Sequence, residues 1–564
     1  MTWLYLVYFI LGIVLFAGAS FCRKGEWNEE YTSLKQTRML QGVAALGVAF
    51  HHIAQKTCGS WHPSQYIVHG LDFFLDLGYI FVAVFFFLSG LGLYKSLKTK
   101  PDYLKHFFRN RVLPIIIAFY LAEFLYLILR LLMGQYMTPT KVLWYLSGLH
   151  MANENGWYLV VIPFFYLFFW LAFRFIRNEW AAISAVFVLV LLYTAGCTLV
   201  DHQYVWWIRG EWWYNSVILF PFGLLCAKLG NRLTRLFRKG WLFWLLLSIV
   251  CIYGALQLSG FTVDRLGYYV EGFSLREKFL RRAGSAASQW LVCLAVIWCV
   301  FLFLMKCRIG NRILALYGAL SLDFYITHGA FVELFGFNFM DTTRSLSYVR
   351  DVPLFTLIVI TGGTISAFLF RWLRGIVMQR FGLREKPKTP SRLTVWIRRY
   401  SRWFTPAFVL LLMLGMILSP LFTSSESSQA MNGVIMDMPD GYIRTTSDTY
   451  HASWQYKGTE KKPGWIVLDG ALIGKYTVEF TNVDEVIASC DWLRDMELYV
   501  NPQNIRMVRG YSMDIQEGAG QERRYYVETP HSVLLISMRE DPRYYSVEDC
   551  ESVLLQLADS IRIP

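Results

Sequence analysis

Two adjacent histidines inside an apolar stretch, His51 and His52, are the residues of this sequence best placed to do chemistry. The same stretch opens with a cation and an amide, Arg38 and Gln41. At about 100° per residue, Gln41 and His52 share a helix face, Arg38 lies one turn earlier on nearly that face, and His51 points elsewhere. A rise of about 1.5 Å per residue puts His52 roughly 16 Å beyond Gln41, more than halfway across a hydrocarbon core of about 30 Å. An ionisable side chain at that depth is costly and faces the bundle interior or an aqueous cavity. Histidine there is the natural general base near neutral pH. The plainer alternative is a histidine that only hydrogen-bonds a neighbouring helix.

Positioning such residues requires a membrane. The chain has 564 residues, of which 55% are hydrophobic and 17% aromatic, with a mean hydropathy of +0.37. These figures exclude an ordinary soluble enzyme. Apolar runs fall near 2–21, 39–54, 71–94, 112–133, 157–175, 180–200, 214–228, 241–258, 287–306, 313–335, 353–372 and 404–423. The expected fold is therefore a polytopic α-helical membrane protein with about twelve transmembrane helices, followed by a C-terminal extracytoplasmic α+β domain.

The net charge of +13 conceals an asymmetry, because residues 424–564 carry 22 acidic and 13 basic side chains and everything before them is cationic. The cations sit between apolar runs and read as topology signals, with no nucleic-acid partner expected. Clusters at 23–38, 95–111, 228–239 and 371–402 fall on one side if the spans alternate. That side is then cytoplasmic, with the N-terminus and residues 424–564 outside the cell membrane. The segment 259–286, with Arg265, Arg276, Lys278, Arg281 and Arg282, argues the other way. The ten cysteines form no CxxC pair and no Cys/His cluster at metal spacing, so no metal is expected.

Past a Ser-rich linker at 424–428, alternating β-branched and aromatic runs at 464–468, 475–480, 497–500 and 532–536 predict strands, and helices are expected near 482–495 and 546–560. Cys490 and Cys550 either pair or remain as two buried thiols. No catalytic motif is present in this part, and a binding or spacer role is its default.

Several stretches of the membrane part resemble acyltransferase family 3, the integral-membrane enzymes that O-acylate carbohydrates and other envelope acceptors. Thr37-Arg38-Met39-Leu40-Gln41-Gly42 through His52 takes the place of the family's first core helix, with its arginine, ten residues and a histidine. Phe85-Phe86-Phe87-Leu88-Ser89-Gly90-Leu91 resembles the "FFxLSGF" signature, and Phe108-Arg109-Asn110-Arg111-Val112-Leu113-Pro114 the basic segment ending in proline. Trp157-Tyr158-Leu159 and the run from Tyr317 to His328 resemble the later "WFL" and "GxxSxxxYLxH" stretches. The division expected from this is an extra helix and loop over 1–36, the family-like membrane domain over 37–375, a basic loop and last helix over 376–423, and the outer domain over 424–564.

The resemblance implies a donor acyl-CoA on the cytoplasmic side, acetyl-CoA foremost, and a hydroxyl of an extracytoplasmic glycan or related acceptor. It implies His52, Arg38 and Gln41 as the catalytic set. One departure stands out: Gln41 occupies the arginine position and Arg38 the usual aspartate. Either Arg38 supplies the charge, or the site is altered, since an amide cannot neutralise a phosphate or an oxyanion as a guanidinium does. Donor phosphates would suit Arg109, Arg111 and Lys98, whose other reading is topology alone. Ser89, Asp323 and His328 are further pocket candidates, although Ser89-Gly90 also suits close helix packing. A rival from another class is a non-catalytic transporter-like or sensory protein with a ligand-binding outer domain.

Overall fold

The computed structural model of the chain describes residues 2–59, 67–132, 139–147, 151–199, 210–266, 274–336 and 348–380, and beyond them 428–431, 434–439, 442–447, 451–456, 465–469, 482–490, 493–512, 522–529, 533–539 and 547–562. The first part is helical: α1 (Thr2–Phe16), α2 (Leu34–Thr57), α3 (Asp72–Leu75), α4 (Gly78–Thr99), α5 (Leu113–Leu132), α6 (Pro139–Ser147), α7 (Trp157–Phe175), α8 (Glu179–Leu199), α9 (Leu219–Arg238), α10 (Trp241–Leu266), α11 (Leu275–Leu304), α12 (Arg312–Ala319), α13 (Ser321–Phe335) and α14 (Val352–Arg380).

Among the described residues, seven helices are long and apolar enough to cross a membrane: α4, α5 with the turn before it, α7, α8, α10, α11 and α14. The other apolar runs take different forms. Helices α2 and α9 are of spanning length but carry polar and charged residues. Helix α1 has 15 residues, and the chain leaves it through a turn into β1 (Ser20–Phe21), which pairs antiparallel with β2 (Cys307–Arg308). The run 313–335 breaks at Leu320 into α12 and α13, and 71–94 breaks before Gly78. The run 404–423 lies outside the described residues.

The basic segments need a correction, because many of their cations lie on helix ends. Arg232, Arg235 and Arg238 belong to α9, and Arg371 and Arg374 to α14. The segment 259–286 is largely helix, since α10 runs to Leu266 and α11 starts at Leu275. The Ser274 hydroxyl accepts from the Glu277 amide, a Ser-x-x-Glu cap that starts α11 inside what composition alone marks as loop. Long cationic side chains let an apolar helix continue past the membrane edge.

Polar contacts tie one end of the bundle together. Lys95 Nζ donates to the Thr32 carbonyl at 2.6 Å, Lys98 pairs with Glu179, and Gln36 bonds both backbone groups of Ile309. Trp241 Nε1 donates to the Leu302 carbonyl. The starts of α2, α8, α10 and α12 therefore share an end with the finishes of α4 and α11, as alternating spans require. At two crossings the backbones touch. A Cβ on Gly90 would lie 2.1 Å from the Phe220 carbonyl oxygen, and one on Gly223 2.1 Å from that of Phe87, which fixes α4 against α9. A Cβ on Gly42 would lie 2.3 Å from the Leu314 carbonyl oxygen, and one on Gly318 2.0 Å from that of Arg38, which fixes α2 against α12. Small residues serve this purpose in membranes, where close approach supplies the packing energy.

Residues 428–562 form the α+β unit. Strands β3 (Ser428–Met431) and β4 (Val434–Asp437) pair as a hairpin. A seven-stranded antiparallel sheet comprises β5 (Tyr442–Ser447), β6 (His451–Tyr456), β7 (Trp465–Asp469), β8 (Arg494–Val500), β9 (Arg506–Ser512), β10 (Glu522–Glu528) and β11 (Val533–Arg539), in the order β5-β6-β7-β11-β10-β9-β8. Side chains alternate across it: Tyr525 and Val527 join the cluster containing Cys550, Leu554 and Leu557, whereas Tyr526 joins Val483, Val486 and Cys490. Helix α15 (Val483–Ser489) therefore covers one face and α16 (Val547–Asp559) the other. The two cysteines are buried thiols on opposite faces and form no disulfide. The helix expected over 482–495 stops at Ser489, because Arg494 onward is drawn into β8 beside β9. The strand expected at 475–480 lies outside the described residues.

Candidate active site

Helix α2 brings His52 to α13, where its Nδ1 lies 2.8 Å from His328 Nε2. The rings stack at 5.0 Å between centroids and 9° between planes, and both residues are buried. His328 Nδ1 lies 2.8 Å from the carbonyl oxygen of Phe324, one turn back on α13. A carbonyl only accepts, so His328 Nδ1 carries the proton and, in the neutral ring, His328 Nε2 is the acceptor. His52 Nδ1 must then donate. This leaves the lone pair of His52 on Nε2, the nitrogen that can take a proton from a substrate. Two members of the sequence-derived set, His52 and His328, thus form one unit, with Phe324 stacked on His328 at 5.3 Å.

His51 does something else. Its Nδ1 donates to the Phe74 carbonyl at 2.8 Å, and a Cβ on Gly78 would collide with its ring. It pins the α3–α4 turn to α2.

Gln41 is half-buried and Arg38 exposed, near the opposite end of α2, about 16 and 21 Å along the axis from His52. They are not brought to the histidine pair. The Ser89 hydroxyl lies 3.2 Å from that of Tyr158, whose ring neighbours Tyr325, which in turn neighbours His328. Asp323 accepts two bonds from Arg374, each 2.9 Å, and is almost fully buried, while Arg371 donates to the Ala319 carbonyl. Thr327 Oγ1 bridges the carbonyls of Asp323 and Gly363. These contacts clamp α12 and α13 to α14, from beside His328 to beneath it.

The cations expected to hold a donor lie at the shared end of the bundle. Lys98 is bonded to Glu179, which also takes Lys228 at 2.6 Å. Arg111 donates to the Tyr103 hydroxyl at 3.0 Å and to Ser96 at 3.3 Å. Arg109 is exposed, on the same π-helical turn, Phe108–Val112. Such turns are rare and recur at functional sites.

Sequence reasoning missed a third set. Glu123 accepts from the Ala152 amide at 2.7 Å, Arg130 Nε donates to the Ala152 carbonyl at 2.5 Å, and the Tyr126 hydroxyl donates to the Ile326 carbonyl at 2.9 Å. Tyr325 donates to the Asn155 carbonyl. The turn before α7 is thereby held against the histidine-bearing helix. A glutamate and an arginine within one apolar run were the available signal.

A family model described as an acyltransferase domain, that of the third acyltransferase family, matches residues 38–373. The span takes in the stretches on which the resemblance was read, from Arg38 to His328. No curated protein and no solved structure matches the chain.

Proposed function

Because the chain belongs to acyltransferase family 3 and is a membrane acyltransferase, we propose that it moves an acyl group, acetyl foremost, from cytoplasmic acyl-CoA to a hydroxyl of an extracytoplasmic envelope glycan or related acceptor. In this reading His52 Nε2 removes the proton of the attacking hydroxyl. The new C–O bond forms as the thioester C–S bond breaks, and the proton ends on the CoA thiol. As His52 takes the proton, its Nδ1 proton can pass to His328 Nε2, and the charge is then held on a ring whose other N–H already points at a carbonyl. The hydrogen-bonded His52–His328 pair carries this reading. Arg109 and Arg111 are proposed to meet the donor's phosphates, with the N-terminus and residues 424–564 outside. Gln41 and Arg38 line the inner half of the same helix, toward the donor's entry.

The test is acyl transfer by the purified chain in vesicles, from acetyl-CoA to envelope polymers, with the product followed by mass spectrometry. Wild type is expected to add the acyl increment and His52→Ala to lose it. No increment on any envelope polymer with wild type would overturn the reading in favour of a non-catalytic membrane protein.

A further inference from the structure

A second buried polar cluster lies away from the histidines. The single turn Glu211–Trp213 and the residues up to Ser216 lie between α8 and α9 in the chain and are hydrogen-bonded to α11. Trp290 Nε1 donates to the Tyr214 carbonyl at 3.0 Å, and Tyr193 donates to that of Trp213 at 3.2 Å. Gln289 is seven residues beyond Arg282, so the two share a face of α11. Both are buried, and Arg282 Nη1 donates to the Thr198 carbonyl at 3.0 Å.

Within this cluster Glu211 is fully buried, yet among the described residues neither carboxyl oxygen has a hydrogen-bond partner. The same is true of Asn215 Oδ1, Ser216 Oγ and Gln289 Oε1, on residues no more than 4% exposed. Buried polar atoms are otherwise nearly always bonded, and each orphan carries a desolvation cost. Packing alone gives no reason to gather several of them at one place.

Their chemistry is selective. Asn215 Oδ1 and Gln289 Oε1 can only accept, the Glu211 carboxyl accepts on at least one oxygen, and Ser216 Oγ is a hydroxyl, so a complementary ligand must supply donors. The Arg282 guanidinium acts electrostatically on Glu211 without bonding its oxygens. A cation would meet that guanidinium, and an anion would meet the cluster's acceptor oxygens, which leaves a neutral ligand. An indole borders the cluster: the buried Trp213 ring lies 6.0 Å from Trp157, at the start of α7 beside Tyr158. Neutral, hydroxyl-bearing and with an apolar ring face to set beside an indole describes a sugar ring.

We propose that Glu211, Asn215, Ser216 and Gln289 form a carbohydrate-binding site that seats the acceptor by its ring hydroxyls. Its place as the acceptor seat rests on the acyl-transfer reading, whereas sugar binding itself does not.

The probes are methyl β-D-glucopyranoside and methyl N-acetyl-β-D-glucosaminide, titrated against the full chain in nanodiscs and read by tryptophan fluorescence. Wild type and His52→Ala should show saturable binding of at least one glycoside. Glu211→Gln and Gln289→Leu should weaken it about tenfold or more. Thermal stability gives a second readout. Removing an unpartnered buried carboxylate should leave the melting temperature of Glu211→Gln equal or higher, whereas a structural role would lower it. Absence of saturable binding to both glycosides, or equal binding by wild type and both variants, overturns the site. Binding that follows this pattern in a protein that transfers no acyl group would overturn the acyltransferase mechanism and leave the site standing. Transfer with an acceptor KM untouched by both variants would do the reverse.

Discussion

Two buried polar clusters of the bundle differ in how fully they are bonded. In the histidine pair, three of the four ring nitrogens are committed, one to a carbonyl and two to each other. Around Glu211, five oxygens of Glu211, Asn215, Ser216 and Gln289 have no partner among the described residues. The first arrangement is self-consistent without a ligand and leaves a single nitrogen for chemistry. The second is complete only when something supplies donors. A closed network sets a protonation state, and an open one selects a partner.

The strongest way to break this contrast is at the closed network. His52→Ala should lower acyl transfer by about 10²–10⁴-fold, while His51→Ala, which loses its bond to the Phe74 carbonyl, should keep transfer and cost about 1 kcal/mol of stability. Turnover of both variants, at matched expression and monodispersity, checks the pair. Near-normal turnover by His52→Ala would remove the base from the mechanism.

The clamp under the histidines sharpens the comparison from the side of stability. Asp323 and Arg374 are a closed pair of opposite charges, and Arg374→Ala leaves a buried carboxylate in the state of Glu211. It should cost about 3–5 kcal/mol, most of which returns when Asp323→Leu is added to Arg374→Leu. Thermal unfolding in detergent measures both. If Arg374→Ala melts like wild type, an orphaned carboxylate is cheap here and the unusual character of Glu211 is lost.

The smallest effect belongs to the α+β unit, where Arg506 bonds Asp484 at 2.6 Å. That bond holds the Asp484 carboxyl below its ordinary value. A depressed folded value adds stability that is fully present above the unfolded value and is lost as pH falls through the folded one. Both side chains are exposed, so the gain is slight. Amide-exchange protection of α15 should be modestly greater in wild type than in Arg506→Gln at neutral pH, and the difference should close in acid.

Much of this was legible in the sequence. The family could be read because its motifs are short, ordered and spread over residues that the match then covered, 38–373. His52 could be picked over His51 because helical geometry separates them by about 100°, and the structure gives the two different partners. Its partner could not be read as such: His328 is a lone histidine ending an apolar run, and only the approach of α13 to α2 gives it meaning. The Glu211 cluster was invisible for a similar reason. Glu211 looks like a loop residue, Asn215 and Ser216 like the polar start of the apolar run 214–228, and Gln289 like one polar position among apolar ones. Burial, which the sequence does not print, turns them into orphans. The reach of α11 back to Leu275 was encoded, by the cap at Ser274, but local cap chemistry was outvoted by the run of cations that follows it.

The crossing of α2 with α12 has a consequence for alignment. Gly42 stands ten residues before His52, and Gly318 ten residues before His328. The two chain segments behave like a pair of rulers pinned together at the same graduation, read off about 15 Å further on where the imidazoles meet. A side chain at Gly318 would meet the Arg38 carbonyl and push the pin apart. The scales would then no longer coincide at the tenth mark, and the two imidazoles would miss each other although neither histidine had been touched.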